Sequence, residues 1–90
     1  MTNVSKIFIA ATELLKEKSN IEFSRQDIKN HLGLSTREWD LGYTGSFQGM
    51  VDNCPPLRNK ISPKYRAVFT RIGKGIYTFT NYGLWLIDKD

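Results

Sequence analysis

Residues 69–80 read FTRIGKGIYTFT, two β-prone runs folded over Gly73-Lys74-Gly75. Phe, Ile, Tyr and Thr suit the pleated, half-buried surface of a strand, and glycines on both sides of a single lysine supply a tight reversal. A β-hairpin is therefore the element around which any fold of this chain must be built. Its register follows from the turn. With Lys74-Gly75 as a two-residue loop, Ile72 faces Tyr77 and Thr70 faces Phe79. That gathers Val68, Thr70, Ile72, Tyr77 and Phe79 on one face and leaves Phe69, Arg71, Thr78 and Thr80 on the other. A three-residue Gly73-Lys74-Gly75 loop shifts the pairing by one and mixes the faces, so the first register is expected.

The hairpin lies in a basic half of the chain. Residues 53–87 hold six basic side chains, Arg58, Lys60, Lys64, Arg66, Arg71 and Lys74, and no acidic one, whereas the remainder carries seven basic against nine acidic residues. The formal net charge of +4 thus understates how uneven the surface is. A charge run is often only a solvated face. Its confinement to the half that contains the hairpin points instead to a polyanionic partner, nucleic acid first.

Ninety residues make one domain, 1–90, with a small core. Five Phe, four Tyr and two Trp provide apolar material for a fold and argue against disorder. The single cysteine, Cys54, excludes an internal disulfide framework and suits a reducing compartment; beside Pro55 and Pro56 it reads as a turn residue. No segment approaches the roughly 20 apolar residues needed to cross a bilayer. A cytoplasmic protein is expected.

Val4, Ile7, Phe8, Ala11, Leu14 and Leu15 recur at intervals of three and four, which predicts a helix over about residues 4–18. A brief strand at residues 21–23 follows and can open a three-stranded assembly with the hairpin. Ser24 then caps a second helix from Arg25, with Asp27 three positions on, Phe23 and Ile28 as the flanking apolar pair, and Gly33 as its stop. In residues 34–49, Ser35 and Glu38 match a second capping box, but Gly42, Gly45 and Gly49 would each cost about 1 kcal/mol inside a helix. The expectation is a turn over residues 35–40, a loop at 42–45 and a short third helix over 46–52, anchored by Phe47 and Met50 and closed by Pro55 and Pro56. Ser62-Pro63 is a turn or a single helical turn. After the hairpin, Thr80 or Asn81 caps a last short helix holding Tyr82, Trp85 and Leu86, or the chain ends in a strand.

The order helix, short strand, helix, short helix, hairpin is that of a winged helix-turn-helix, an α+β fold with three main helices and a C-terminal β-hairpin wing. Such a domain directs its third helix into the major groove of double-stranded DNA and lays the wing along the phosphates. Thr44, Ser46 and Gln48 then approach the duplex, Gln48 with the geometry to pair bidentately with adenine. Arg71 and Lys74 hold the backbone from the wing, and Arg58, Lys60, Lys64 and Arg66 add general affinity. The segments SFQGM (residues 46–50) and SPKYRAVFTRIGKGIYTFT (residues 62–80) resemble the small winged helix modules found beside restriction endonucleases and in related bacterial and phage proteins. The resemblance implies a domain that binds DNA, or senses a DNA feature, for an attached enzyme, through Ser46, Gln48, Arg71 and Lys74. This sequence differs in placing Gly49 and Asp52 in the third helix, and it is expected to act without an attached catalytic domain.

Catalysis finds little support. His31, the lone histidine, reads as a helix-terminal surface residue, one His and one Cys do not make a zinc set, and no serine has an evident His/Asp partner. Glu38, Asp40 and Asp52 with Lys60 lack a diagnostic nuclease spacing. Gly73-Lys74-Gly75 lacks the length and following helix of a phosphate loop. A non-enzymatic protein without a cofactor is expected. The alternative to DNA binding is a protein-interaction or dimerisation module, with Trp39, Tyr82 and Trp85 as interface anchors. A homodimer is also expected, because Ile9 and Ala10 lie off the main stripe of the first helix and Trp85 is close to the chain end.

Overall fold

The structure, a computed structural model, describes residues 2–18, 22–52 and 63–89. Arg58, Lys60, Cys54, Pro55, Pro56 and Ile21 lie outside the described residues. The described chain is α+β, with five helices, one 3-10 turn and a two-stranded antiparallel sheet. Among the described residues no helix is long and apolar enough to cross a membrane.

Helix α1 (Asn3–Lys18) buries Val4, Ile7, Phe8, Ala11 and Leu14, as their spacing requires. Ala10 is also wholly buried, against the expectation that it lies off the stripe. It stands three residues after Ile7 and four before Leu14, so it belongs to the same face. Helix α2 (Arg25–Leu32) begins where the capping box predicts. The Asp27 N–H donates to Ser24 Oγ at 3.1 Å, and the Ser24 N–H donates to Asp27 Oδ2 at 2.9 Å. Phe23 and Ile28 are both buried, and Gly33 ends the helix at φ 70. His31 joins this end to α1 through a 3.0 Å contact with Glu13.

The turn expected over residues 35–40 is a helix, α3 (Thr36–Gly42), and the loop at 42–45 is the start of another, α4 (Thr44–Met50). The Ser35–Glu38 box is complete: the Glu38 N–H donates to Ser35 Oγ at 3.1 Å, and the Ser35 N–H donates to Glu38 Oε1 at 3.0 Å. The backbone bond from Ser35, reinforced by its side chain, holds the Glu38 carboxyl below its ordinary range. Its support for the cap is therefore present above the unfolded carboxyl pKa and is lost as pH falls through the lowered value. Between α3 and α4 stands Tyr43, at φ −116, ψ −30. Its N–H still donates to Trp39 C=O, and its own carbonyl accepts from the Phe47 N–H, so the two short helices form one kinked rod.

The hairpin pairs β1 (Phe69–Gly73) with β2 (Ile76–Phe79), but its register is split. Gly73 pairs with Ile76 around Lys74-Gly75, as a two-residue loop requires, whereas Arg71 pairs with Tyr77, Thr70 with Thr78 and Phe69 with Phe79. The irregularity at Ile72 corrects the expected faces: Phe69, Tyr77 and Phe79 are buried together, and Ile72 is exposed. Gly75 has φ 70 but Lys74 is not in the left-handed region. The turn is therefore not the mirror-image type whose twist matches the strands, and a bulge beside it absorbs the mismatch. Phe23 extends the sheet with a single antiparallel bridge to Tyr77, and Val51 adds a parallel bridge to Phe69. Residues from before α2 and after α4 thus flank the hairpin on its two edges.

The 3-10 turn Pro63–Tyr65 leads into a sharp corner, where Ala67 stands at φ 60. Thr80 holds this corner, its Oγ1 donating to Ala67 C=O at 2.6 Å and its N–H to Val68 C=O at 3.0 Å. The same hydroxyl accepts from the Gly83 N–H at 3.0 Å, capping the terminal helix α5 (Asn81–Lys89). A terminal strand is therefore not formed. Phe47, at the centre of the core, has its ring 4.9 Å from Tyr77, 5.6 Å from Phe69 and 6.0 Å from Trp39.

Candidate nucleic-acid interface

The hairpin tip presents two cations. Arg71 and Lys74 are both exposed, and Arg71 Nε donates to Gly73 C=O at 3.1 Å, bracing the chain across the bulge. In the expected register Arg71 lies opposite the face of Tyr77 and Phe79. The observed pairing corrects this, because Arg71 sits across from Tyr77 and so belongs to the face shared by Phe69, Tyr77 and Phe79. Phe47 of α4 packs on Tyr77 from this side. The bulge thus brings this arginine to the side of the sheet that carries α4. Exposed Ile72 and Ile76 flank the tip.

On α4, Ser46 and Gln48 are half-buried, and Thr44 is half-buried with its Oγ1 donating to Trp39 C=O at 3.3 Å. The outer surface of the rod is carried more by α3, where Thr36, Arg37, Asp40 and Leu41 are exposed. Asp52, just beyond α4, is exposed, while its N–H donates to Phe69 C=O at 2.8 Å. Between α2 and the rod runs a groove of about 300 Å³ lined by residues that include Arg25, Lys29, Thr36 and Thr44. Lys29 Nζ donates to Thr36 Oγ1 at 3.0 Å, and the Arg25 guanidinium lies 5.3 Å from the Phe47 ring centre and 5.8 Å from that of Tyr77. Such cation–ring packing keeps the charge beside α4 and β2 while its stem is partly buried. Arg25, Lys29, Thr36 and Arg37 are absent from the sequence-based set. The Ser35–Glu38 capping box was the available signal, since it starts the helix on which Thr36 and Arg37 ride.

The remaining basic residues do not all gather at the hairpin tip. Arg66 is exposed at the corner before β1. Lys64 is exposed beside α5, where its carbonyl accepts from Tyr82 Oη at 2.7 Å and its Nζ lies 5.5 Å from the Tyr65 ring centre. Of the three aromatic residues expected at an interface, Trp39 is a correction. It is 5 % exposed, stacked on Tyr43 with ring centres 5.9 Å apart, because the unforeseen helix α3 turns it inward. Tyr82 and Trp85 do reach the surface, at 37 % and 51 % exposure. Glu38, one of the carboxylates considered for a nuclease cluster, is engaged in the α3 cap.

Comparison with known proteins finds no matching family, no similar curated protein and no similar solved structure.

Proposed function

We propose that this chain is a winged helix-turn-helix protein that binds double-stranded DNA. In this reading α2, the turn at Gly33 and the α3–α4 rod form the helix-turn-helix, and the hairpin is the wing. The observation that carries it is the bulged register, which sets Arg71 on the α4 side of the hairpin with Lys74 at the tip. Cations at that position can hold phosphates while the rod faces the adjoining groove. Arg37 and Thr36 extend the rod's candidate contact surface beyond Ser46 and Gln48. The bridge between Phe23 and Tyr77 supports the same reading, since it ties the segment before α2 to the wing. A reducing, cytoplasmic site of action accords with the lone Cys54.

A selected duplex, titrated beside a single-base variant, tests the role of the rod. Gln48→Ala should reduce discrimination between the two by roughly 1–3 kcal/mol, the scale of one bidentate base contact, with a smaller effect on nonspecific binding. An equal loss on every duplex would make Gln48 a backbone contact. No saturable binding of wild-type protein to any duplex, at low salt, would reject the function itself.

A further inference from the structure

A second surface lies on α5, where Tyr82, Trp85 and Lys89 form one face of the helix. Trp85 is 51 % exposed, a large apolar group to leave in water on a small protein. It is also held in place. Its ring stacks on Tyr82 with centres 5.8 Å apart and planes inclined by 26°, and Lys89 Nζ lies 4.7 Å from its centre. Tyr82 is fixed in turn by its hydroxyl bond to Lys64 C=O. These groups and Leu86 line a cavity of about 310 Å³ whose charged residues, Lys64 and Lys89, are both basic. An ordered aromatic pair loses little conformational entropy on binding, which is the property of an interface anchor.

We propose that this face docks a short acidic segment of a partner protein that inserts an apolar side chain, such as leucine, against Trp85. The two lysines supply the charge complementarity. A nucleobase fits less well. The indole ring already carries a stack from Tyr82 and the Lys89 ammonium, which a base would have to displace. Base stacking requires a face. A second copy fits less well, because a two-fold axis through this small patch would bring the lysines of one copy close to those of the other.

The test uses fluorescein-labelled 12-residue peptides with leucine at every third position and glutamate, glutamine or lysine elsewhere, read by anisotropy, with (dT)12 in parallel. The glutamate peptide should bind at least tenfold more tightly than the glutamine peptide. Trp85→Ala should weaken it at least tenfold, and Lys89→Glu should weaken it and favour the lysine peptide. Both variants should bind duplex DNA as wild type does, whereas Arg71→Ala with Lys74→Ala should keep peptide binding, so that failure of this surface and failure of the DNA-binding reading are separable. Equal binding of acidic and neutral peptides, or no binding, would overturn the proposal. So would a glutamate-peptide affinity indifferent to Trp85, Trp85-dependent binding of (dT)12 in its place, or a Trp85-dependent dimer in sedimentation.

Discussion

Replacing Arg71 and Lys74 together by alanine is expected to weaken duplex binding roughly 60-fold at 0.1 M salt. Each phosphate contact contributes about 0.9 to the slope of log affinity against log salt, which amounts to about eightfold per contact between 1 M and 0.1 M. The same slope should fall by roughly 1.8 for two contacts. Both side chains are exposed, and the buried residues of the hairpin are Phe69, Tyr77 and Phe79, so circular dichroism should be unchanged, and loss of the exposed Arg71–Gly73 bond should move the urea midpoint only slightly. A variant with intact fold, wild-type affinity and wild-type salt slope would remove the wing from the interface.

Gly83→Ala is expected to destabilise the fold by about 2–3 kcal/mol, the range found when a packed site is overfilled. Helix propensity alone predicts the opposite, a gain of about 1 kcal/mol. The added Cβ, however, would lie 2.2 Å from the Val68 carbonyl oxygen and 3.2 Å from Phe79 Cδ1. That oxygen belongs to backbone and is held by the Thr80 N–H, so it cannot swing aside as a side-chain tip would. Relief requires α5 to move from the corner that launches β1. Urea denaturation followed by tryptophan emission measures the loss; an unchanged or higher midpoint would show that the corner is not closely packed against α5.

The helices with strong local signals are legible in the sequence. The Ser24–Asp27 box, the Gly33 stop and the three-and-four spacing of α1 each rest on contacts within a few residues, and each appears in the fold. The region after Ser35 is harder, because propensity and packing disagree there. Three glycines argue against helix, yet Gly42 falls at the end of α3, where its penalty is small, and Gly45 and Gly49 share α4 with the wholly buried Phe47 and Met50. Burying each of those side chains contributes about 1.5–3 kcal/mol, which outweighs the glycine penalties. The capping box at Ser35 is the better guide, and setting the glycine penalties above it also misplaces Trp39 and hides Thr36 and Arg37. The hairpin was legible as an element but not in register. Its split pairing depends on the twist of a turn whose Lys74 stays out of the left-handed region, a backbone choice that residue types leave open. Through that one bulge, Arg71 changes face. The basic composition gives the cations without locating them, since Lys64 is drawn to α5 by the Tyr82 hydrogen bond while Arg71 and Lys74 stand at the hairpin tip.

Backbone amide shifts of the labelled protein, recorded during titration with duplex DNA, test the DNA-binding assignment most directly. The account predicts saturable changes along α3 and α4 and through the tip from Arg71 to Ile76, diminished as salt is raised, with the Tyr82–Lys89 face unaffected. Changes confined to α5, or a saturable response that leaves both the rod and the wing unmoved, would contradict it.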